Sequence, residues 1–166
     1  MKKFILSLFM LYVSACGFKP MYKQTPYNDL SNKTAKIVIT PVKVFDGAYG
    51  IELRNSLMNK LTPLGKPENP EYILDITLSE PNIIDYTIKT DGTASSYLVK
   101  MNAKYVLKKK NSFNVLMEQT VNKETSYNIL KNQFSTEMLK NNAIKLAIEE
   151  ISQQIYYSII TYFTEK

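Results

Sequence analysis

The first sixteen residues constrain this chain more than any other stretch. It begins Met1-Lys2-Lys3, continues through an apolar segment from Phe4 to Val13 and reaches Ser14-Ala15-Cys16. Two positive charges, a short apolar segment and small residues before a boundary are typical of a secretory signal peptide. The apolar segment is too short to span a membrane, which takes roughly 20 residues. We therefore predict that residues 1–15 are a signal peptide and exclude them from the folded domain.

Val13-Ser14-Ala15-Cys16 also forms a lipobox, a branched apolar residue followed by two small residues and a cysteine. At such a sequence the thiol is alkylated with diacylglycerol and the chain is cut before the cysteine. We predict that Cys16 is the lipid attachment site of a palmitate-bearing lipoprotein. More than one acyl chain, at about 0.8 kcal/mol per buried methylene, anchors a protein stably in a membrane. The alternative is an ordinary signal peptide followed by an accidental cysteine.

Residues 16–34 are predicted to be the lipidated N-terminus and a tether, because they show no periodicity and contain residues that break regular structure. Gly17 follows the cysteine where an aspartate would favour retention at the inner membrane. We therefore expect a protein that is lipid-anchored at the outer membrane and faces the periplasm. Residues 35–166 are expected to form one domain.

Composition argues against several classes of function. The chain has no histidine, and its single cysteine is the predicted lipid site, so the commonest general base and metal ligands are missing. Its acidic residues are scattered and form no paired arrangement. The net charge is +6, but Arg54 is the sole arginine, whereas nucleic-acid recognition relies on arginine forks. We expect no enzyme, no metal, no cofactor and no nucleic-acid partner, and keep a phosphorylated lipid as a candidate ligand.

Runs of β-branched and alternating apolar residues predict the strands. The first strand is 35–44, where Pro41 favours an edge position. Segment 72–79 alternates, and a second piece after Pro81 continues the alternation to a turn at Thr90-Asp91-Gly92. The apolar members of that second piece are Ile84, Tyr86 and Ile88.

Two further strands are predicted from the same period. Residues 97–107 place their odd-numbered side chains, which are apolar, on one face. Residues 113–127 return after a polar turn, with Val115, Met117 and Val121 inward.

Two helices complete the pattern. The first is predicted from Tyr49 to Leu61 and is ended by Pro63. The second is predicted to begin near Ser135, as N-cap, and to run from Thr136 to Phe163. Its apolar stripe has the spacing of a buried helix face and comprises Ile144, Ala147, Ile148, Ile151, Ile155, Ile159 and Tyr162.

The predicted fold is α+β, a two-layer sandwich with the order β-α-β-β-β-α. Each helix has one apolar stripe, and the four-stranded mixed sheet has one apolar face. Placing both helices on the same face of the sheet satisfies all of these surfaces.

One strand carries the candidate ligand site. Lys100, Lys104 and Lys108 lie on the outward face of the strand 97–107 and its extension, and Lys109 and Lys110 carry the charge into the turn. Such a row of ammonium groups suits the phosphates of a lipid as point charges. The alternative is that these lysines keep an exposed sheet face soluble and block unwanted pairing.

The chain also resembles a known family. Cys16-Gly17-Phe18-Lys19-Pro20-Met21-Tyr22 after the lipobox, Ser126-Tyr127-Asn128-Ile129-Leu130 before the last helix, the length and the element order are similar to the LptE family. The resemblance covers the whole chain, although both motifs are short. It implies a sandwich of two helices and four strands, and a lipoprotein that assists lipopolysaccharide assembly in Gram-negative outer membranes.

The resemblance further implies partners. Members of the family sit as a plug inside the β-barrel LptD, help that barrel assemble and help deliver lipopolysaccharide to the outer leaflet. No motif allows the family's lipopolysaccharide contacts to be placed on individual residues here. The alternative hypothesis is a lipid-anchored accessory subunit of an inner-membrane transporter or an envelope scaffold. An envelope hydrolase is a third class, which the missing histidine opposes.

Overall fold

The computed structural model describes residues 33–44, 47–88, 90, 94–112 and 114–165. The predicted signal peptide, Cys16, most of the tether and the residues Asp91-Gly92 of the predicted turn lie outside the described residues. The elements, in chain order, are β1 (Ile37–Ile39), α1 (Gly47–Leu61), β2 (Tyr72–Leu78), β3 (Asn82–Ile88), β4 (Ala94–Lys109), β5 (Val115–Asn128) and α2 (Gln133–Thr164). The order is therefore β-α-β-β-β-β-α. The predicted α+β class is confirmed, with five strands where four were expected.

The sheet is mixed and centred on β4. β1 pairs with β2 in parallel, whereas β2, β3 and β5 all run antiparallel to β4. β5 follows one edge of β4 from Ser96 to Lys108, so β2 and β3 share the other edge, one after the other. The sheet is consequently four strands wide, although one of its four positions is filled by two strands.

The break between β2 and β3 reverses the faces of the sheet. Leu78 lies opposite Ala103, whereas Asn82, four residues later, lies opposite Lys100, only three residues away. One extra residue therefore sits between the two strands, and a shift of one residue moves every following side chain to the other face.

The apolar alternation of the second piece therefore does not continue the core face of β2. Ile84, Tyr86 and Ile88 do not extend the core face of β2 but are 39%, 63% and 62% exposed. Ile83 packs against the core in their place.

Both helices cover the same face of the sheet. The buried stripe of α1 consists of Leu53, Leu57 and Leu61, and all three belong to one core with the inward residues of β1, β2 and β4. The centre of α2 joins this core through Ile148 and Ile151, two members of its predicted stripe. That arrangement confirms the two-layer sandwich.

Two local predictions were wrong at the ends of elements. The N-cap of α2 is Asn132, whose side chain accepts a hydrogen bond from the backbone N–H of Ser135, so Ser135 is inside the helix. Val115 is 55% exposed, because the β4–β5 register shifts by one residue between Leu107 and Lys108. Val115 therefore lies opposite the outward-facing Lys108, on the face away from the core. Val121 is buried as predicted.

Candidate functional site

The predicted lysines lie on the uncovered face of the sheet. Successive side chains of a strand point to opposite faces, and the odd-numbered residues of β4 from Val99 to Leu107 are buried beneath the helices. The side chains of Lys100, Lys104 and Lys108 are therefore directed away from the core, and they are 42%, 58% and 30% exposed. We call these three residues the lysine row.

Each member of the lysine row is paired with a carboxylate on a neighbouring strand. The ammonium of Lys100 lies 2.8 Å from Glu124 Oε1, and Glu124 is its direct cross-strand partner. Lys104 lies opposite Thr120 and pairs diagonally with Glu118, two residues away from Thr120 on the same face of β5. The hydrogen bond from Lys104 also lowers the pKa of the Glu118 carboxyl below its ordinary value. Cross-strand pairs of opposite charge stabilise a sheet modestly.

The third pair is part of a larger cluster at the edge of the sheet. Lys108 Nζ donates to Asp75 Oδ2 at 2.8 Å, and Thr40 Oγ1 donates to Asp75 Oδ1 at 2.9 Å. The Lys108 hydrogen bond, followed by that of Thr40, holds the pKa of Asp75 below its ordinary value against the opposing effect of burial. Asp75 thereby joins the residue after β1 to β2 and β4, so Lys108 has a structural partner.

Lys109 and Lys110 are arranged differently. They are exposed at the end of β4, and neither forms an ion pair with a carboxylate of the described residues. Their backbones are fixed, because Lys109 N donates to Asn114 O and Lys110 N donates to Glu71 O. Of the five predicted lysines, these two have ammonium groups without a carboxylate partner.

Sequence reasoning found the lysines but missed their partners. The signal was present, since the period of two that places the lysine row outward also places Glu118 and Glu124 on the outward face of β5. The period alone does not say which glutamate meets which lysine, because the pairing register of β4 with β5 depends on the bulge near Leu116, which no turn motif indicates.

Several other kinds of site find no support in the described part of the chain. No group of three or more acidic, cysteine or histidine side chains there is arranged to hold a metal ion. No helix within the described ranges is long and apolar enough to cross a membrane.

The fold is shared with solved lipoprotein structures. A lipoprotein from Caulobacter crescentus superposes with a TM-score of 0.66 at 14% identity, covering 84% of this chain and 98% of that one. The rare lipoprotein B of Shewanella oneidensis gives 0.54 at 8% identity, with coverages of 77% and 98%. A minor lipoprotein of Acinetobacter baumannii gives 0.53 at 15% identity, with coverages of 76% and 92%. At such identities these similarities establish the fold alone.

No curated protein sequence matches the chain. A family model does match, and its description is LptE, lipopolysaccharide assembly. The match runs from residue 37 to residue 160, from the start of β1 almost to the end of α2, and so takes in every element of the sandwich. The family is one of non-enzymatic lipoproteins associated with assembly of the outer membrane. The chain therefore belongs to the LptE family of lipopolysaccharide-assembly lipoproteins.

Proposed function

We propose that this chain is an outer-membrane lipoprotein that plugs the lipopolysaccharide-export barrel LptD, helps that barrel to assemble and helps to deliver lipopolysaccharide to the outer leaflet. The observation that carries the proposal is the family match across the whole sandwich. The lipobox at Cys16 and the residue Gly17 support an anchor in the outer membrane.

The shape of the domain suits a plug. β4 has 16 residues and α2 has 32, which corresponds to about 50 Å for each element. Within the described residues, no element covers the sheet face that carries the lysine row. A long body with one open sheet face fits inside a wide barrel, whose inner wall is polar.

Co-purification tests this proposal against its alternative. Tagged full-length chain would be extracted in mild detergent and its partners identified by mass spectrometry, with a tagged unrelated lipoprotein as control. Recovery of a large β-barrel at a near-equal molar ratio is the expected result. Recovery of an ATPase complex would replace the proposal by the inner-membrane accessory subunit.

We further propose that the predicted lysines contribute unequally to lipopolysaccharide binding. Lys109 and Lys110 have no carboxylate partner among the described residues and are therefore the principal phosphate-binding candidates. The lysine row would have to give up its partners Glu124, Glu118 and Asp75 before it could bind an anion.

Two double variants with the same change of charge separate these roles. Lys109→Gln with Lys110→Gln should weaken binding of purified lipopolysaccharide and reduce its salt dependence, because screening acts on exposed charges. Lys100→Gln with Lys104→Gln is the matched control and should change binding less. Equal binding by wild type and both variants would assign all five lysines to solubility of the sheet face.

A further inference from the structure

β5 is a long edge strand whose outer side is open. Among the described strands it pairs with β4 alone, and from Met117 to Asn128 its register is regular. Within the described chain, no backbone or side-chain group hydrogen-bonds to the outer edge of β5. The other open edge beside β4 is that of β3, but irregularities between Asp85 and Ile88 interrupt its pairing. Regular unpaired strands accept added strands, whereas bulged ones resist this.

The pattern of hydrogen bonds identifies the open amides. Ser79 N donates to Asn102 O at 2.8 Å, so the backbone of Asn102 faces the β2 side of β4. The backbone N–H and C=O of the next residue, Ala103, therefore point toward β5, where Ala103 lies opposite Val121. Because backbone direction alternates along a strand, Thr120 and Asn122 direct their N–H and C=O groups to the open edge.

A groove runs beside this same stretch. It has a volume of about 220 Å³ and lies between the open edge of β5 and α2. Its walls are the five consecutive residues 119–123, together with Gln154 and Ser158 of α2. Binding pockets for small molecules usually measure about 300–1,000 Å³. The groove is smaller and follows a strand, so it suits an extended backbone better than a compact ligand.

The groove has a cation without a counter-ion. Lys123 lies in its wall, is half-buried and forms no ion pair with a carboxylate of the described residues. Lys100 and Lys104, on the opposite face of the sheet, each have a carboxylate partner. The other groove side chains are neutral, so the charge of Lys123 favours an acidic residue in whatever binds.

We propose that the groove between β5 and α2 binds an extended acidic segment of a partner polypeptide as an added strand, with a carboxylate opposite Lys123. In such recognition the main-chain hydrogen bonds supply affinity, and the alternate side chains supply specificity. The inference is independent of the plug proposal, since the segment can belong to any chain that presents it.

A second copy of this chain fits the groove less well. If two β5 strands paired antiparallel about Val121, Glu118 of one copy would lie opposite Glu124 of the other. Like charges directly opposite each other destabilise a strand pair. Lys123 would lie opposite Gln119 and would still have no counter-ion.

Peptide binding to the full chain in detergent tests the proposal. The probe is a fluorescein-labelled peptide, Thr-Val-Glu-Val-Thr-Val, and binding is followed by fluorescence anisotropy. The same peptide with lysine in place of glutamate is the control probe, and it should bind more weakly. Asn122→Pro should reduce affinity for the acidic peptide about fivefold or more, because it removes one edge amide and its ring obstructs the strand. The N–H that proline lacks at position 122 points to the open edge, so the hydrogen bonds between β5 and β4 are kept.

Matched variants keep the result interpretable. Ser126→Pro changes the same edge beyond the groove and should bind the peptide like wild type. Lys123→Gln should remove the preference for glutamate over lysine in the probe, whereas Lys145→Gln, on the exposed face of α2, should not.

Failure of the wild type to bind the acidic peptide below 1 mM, or unchanged binding by Asn122→Pro, would overturn the proposal. Sedimentation of the same samples provides a second readout. A wild-type dimer that Asn122→Pro dissociates would show that the groove binds another copy, and would also overturn it.

Discussion

A single side chain at the start of α2 shows how the local sequence can be misread. Ser135 and Asn132 are both good N-cap residues, and only one can occupy the position where the backbone leaves the extended conformation. Asn132 has φ −90° and ψ 119°, and its side chain accepts from Ser135 N. Thr136 is placed by its own hydroxyl, which donates to Leu130 O. The cap therefore lies three residues before the predicted one.

Replacing the two candidate caps tests this assignment. Asn132→Ala should lower the free energy of unfolding by about 1 kcal/mol, because the amide of Ser135 loses its acceptor. Ser135→Ala should change it by less than about 0.5 kcal/mol, since only the backbone of Ser135 is used. Thermal or denaturant unfolding of the two variants measures both values. A larger loss for Ser135→Ala would restore the cap expected from the sequence.

Asp75 makes stability depend on pH. Its pKa is lowered in the fold, chiefly by the hydrogen bond from Lys108. The stabilisation is fully present above the unfolded pKa, near 3.9, and is lost as the pH falls through the lower folded value. At neutral pH, Asp75→Asn should therefore lower the free energy of unfolding by about 1 kcal/mol or less, as expected for a half-exposed pair.

The free energy of unfolding of wild type and Asp75→Asn, measured from neutral pH down to about pH 2, tests this dependence. The difference between wild type and Asp75→Asn should shrink as the pH falls below 4. Asp85→Asn serves as control, because Asp85 is exposed on β3 and forms no ion pair within the described residues. A difference that stays constant down to pH 2 would mean that Asp75 acts through packing and not through its charge.

At the scale of an element, Gly50 fixes the distance between α1 and the segment that leads into it. A Cβ at Gly50 would lie 2.7 Å from Val44 Cγ1, whereas one at Gly47 would meet nothing within 4 Å. In an exposed helix, glycine to alanine stabilises by roughly 0.5–1 kcal/mol. At Gly50 the steric conflict opposes that gain.

The two glycines therefore give opposite expectations. Gly50→Ala should reduce stability by about 1–3 kcal/mol, as overpacking does. Gly47→Ala should be neutral or slightly stabilising. Chemical denaturation of both variants provides the comparison, and a stabilised Gly50→Ala variant would show that Val44 yields without cost.

Elements with a strong period were predictable, and those that depend on register were not. The alternation in β4 and the stripe of α2 from Ile144 to Ile159 gave their inward faces correctly, because burial of one face sets both patterns. At the end of α2 the buried residue is Phe163, and the predicted Tyr162 is only partly buried. The inward face of β3 does not follow from its apolar alternation, because the one extra residue between Leu78 and Asn82 has no local signal in the sequence. β1 was expected over 35–44 but comprises only Ile37–Ile39, and the chain meets the sheet again at Lys43.

The same distinction holds for the candidate site. The outward direction of the lysine row followed from the period of β4. Its neutralisation by Glu118, Glu124 and Asp75 did not, because those partners are determined by strand pairing over long sequence separations. The groove beside β5 depends on the packing of α2, which the sequence pattern alone does not position.

At the scale of the whole molecule, the anchor and the domain should be separable. The buried core draws on residues from Ile37 to Phe163. Cys16→Ala should therefore leave the thermal unfolding of the domain unchanged while abolishing lipid attachment. Intact mass spectrometry of wild type extracted from membranes should show a chain that begins at Cys16 and carries acyl groups. A wild-type chain that retains residues 1–15 would contradict the predicted processing.

The parallel pairing of β1 has a mechanical consequence. Among the described residues, the chain ahead of α1 pairs with the sheet along β1, which has three residues. Backbone hydrogen bonds extend the pairing beyond both ends of β1: Glu71 N donates to Lys36 O before the strand, and Thr40 N donates to Leu74 O after it. They lie across the strand, so a force directed along β1 loads them together in shear instead of opening them one by one. A short strand can in this way carry tension between the predicted membrane anchor and the folded domain.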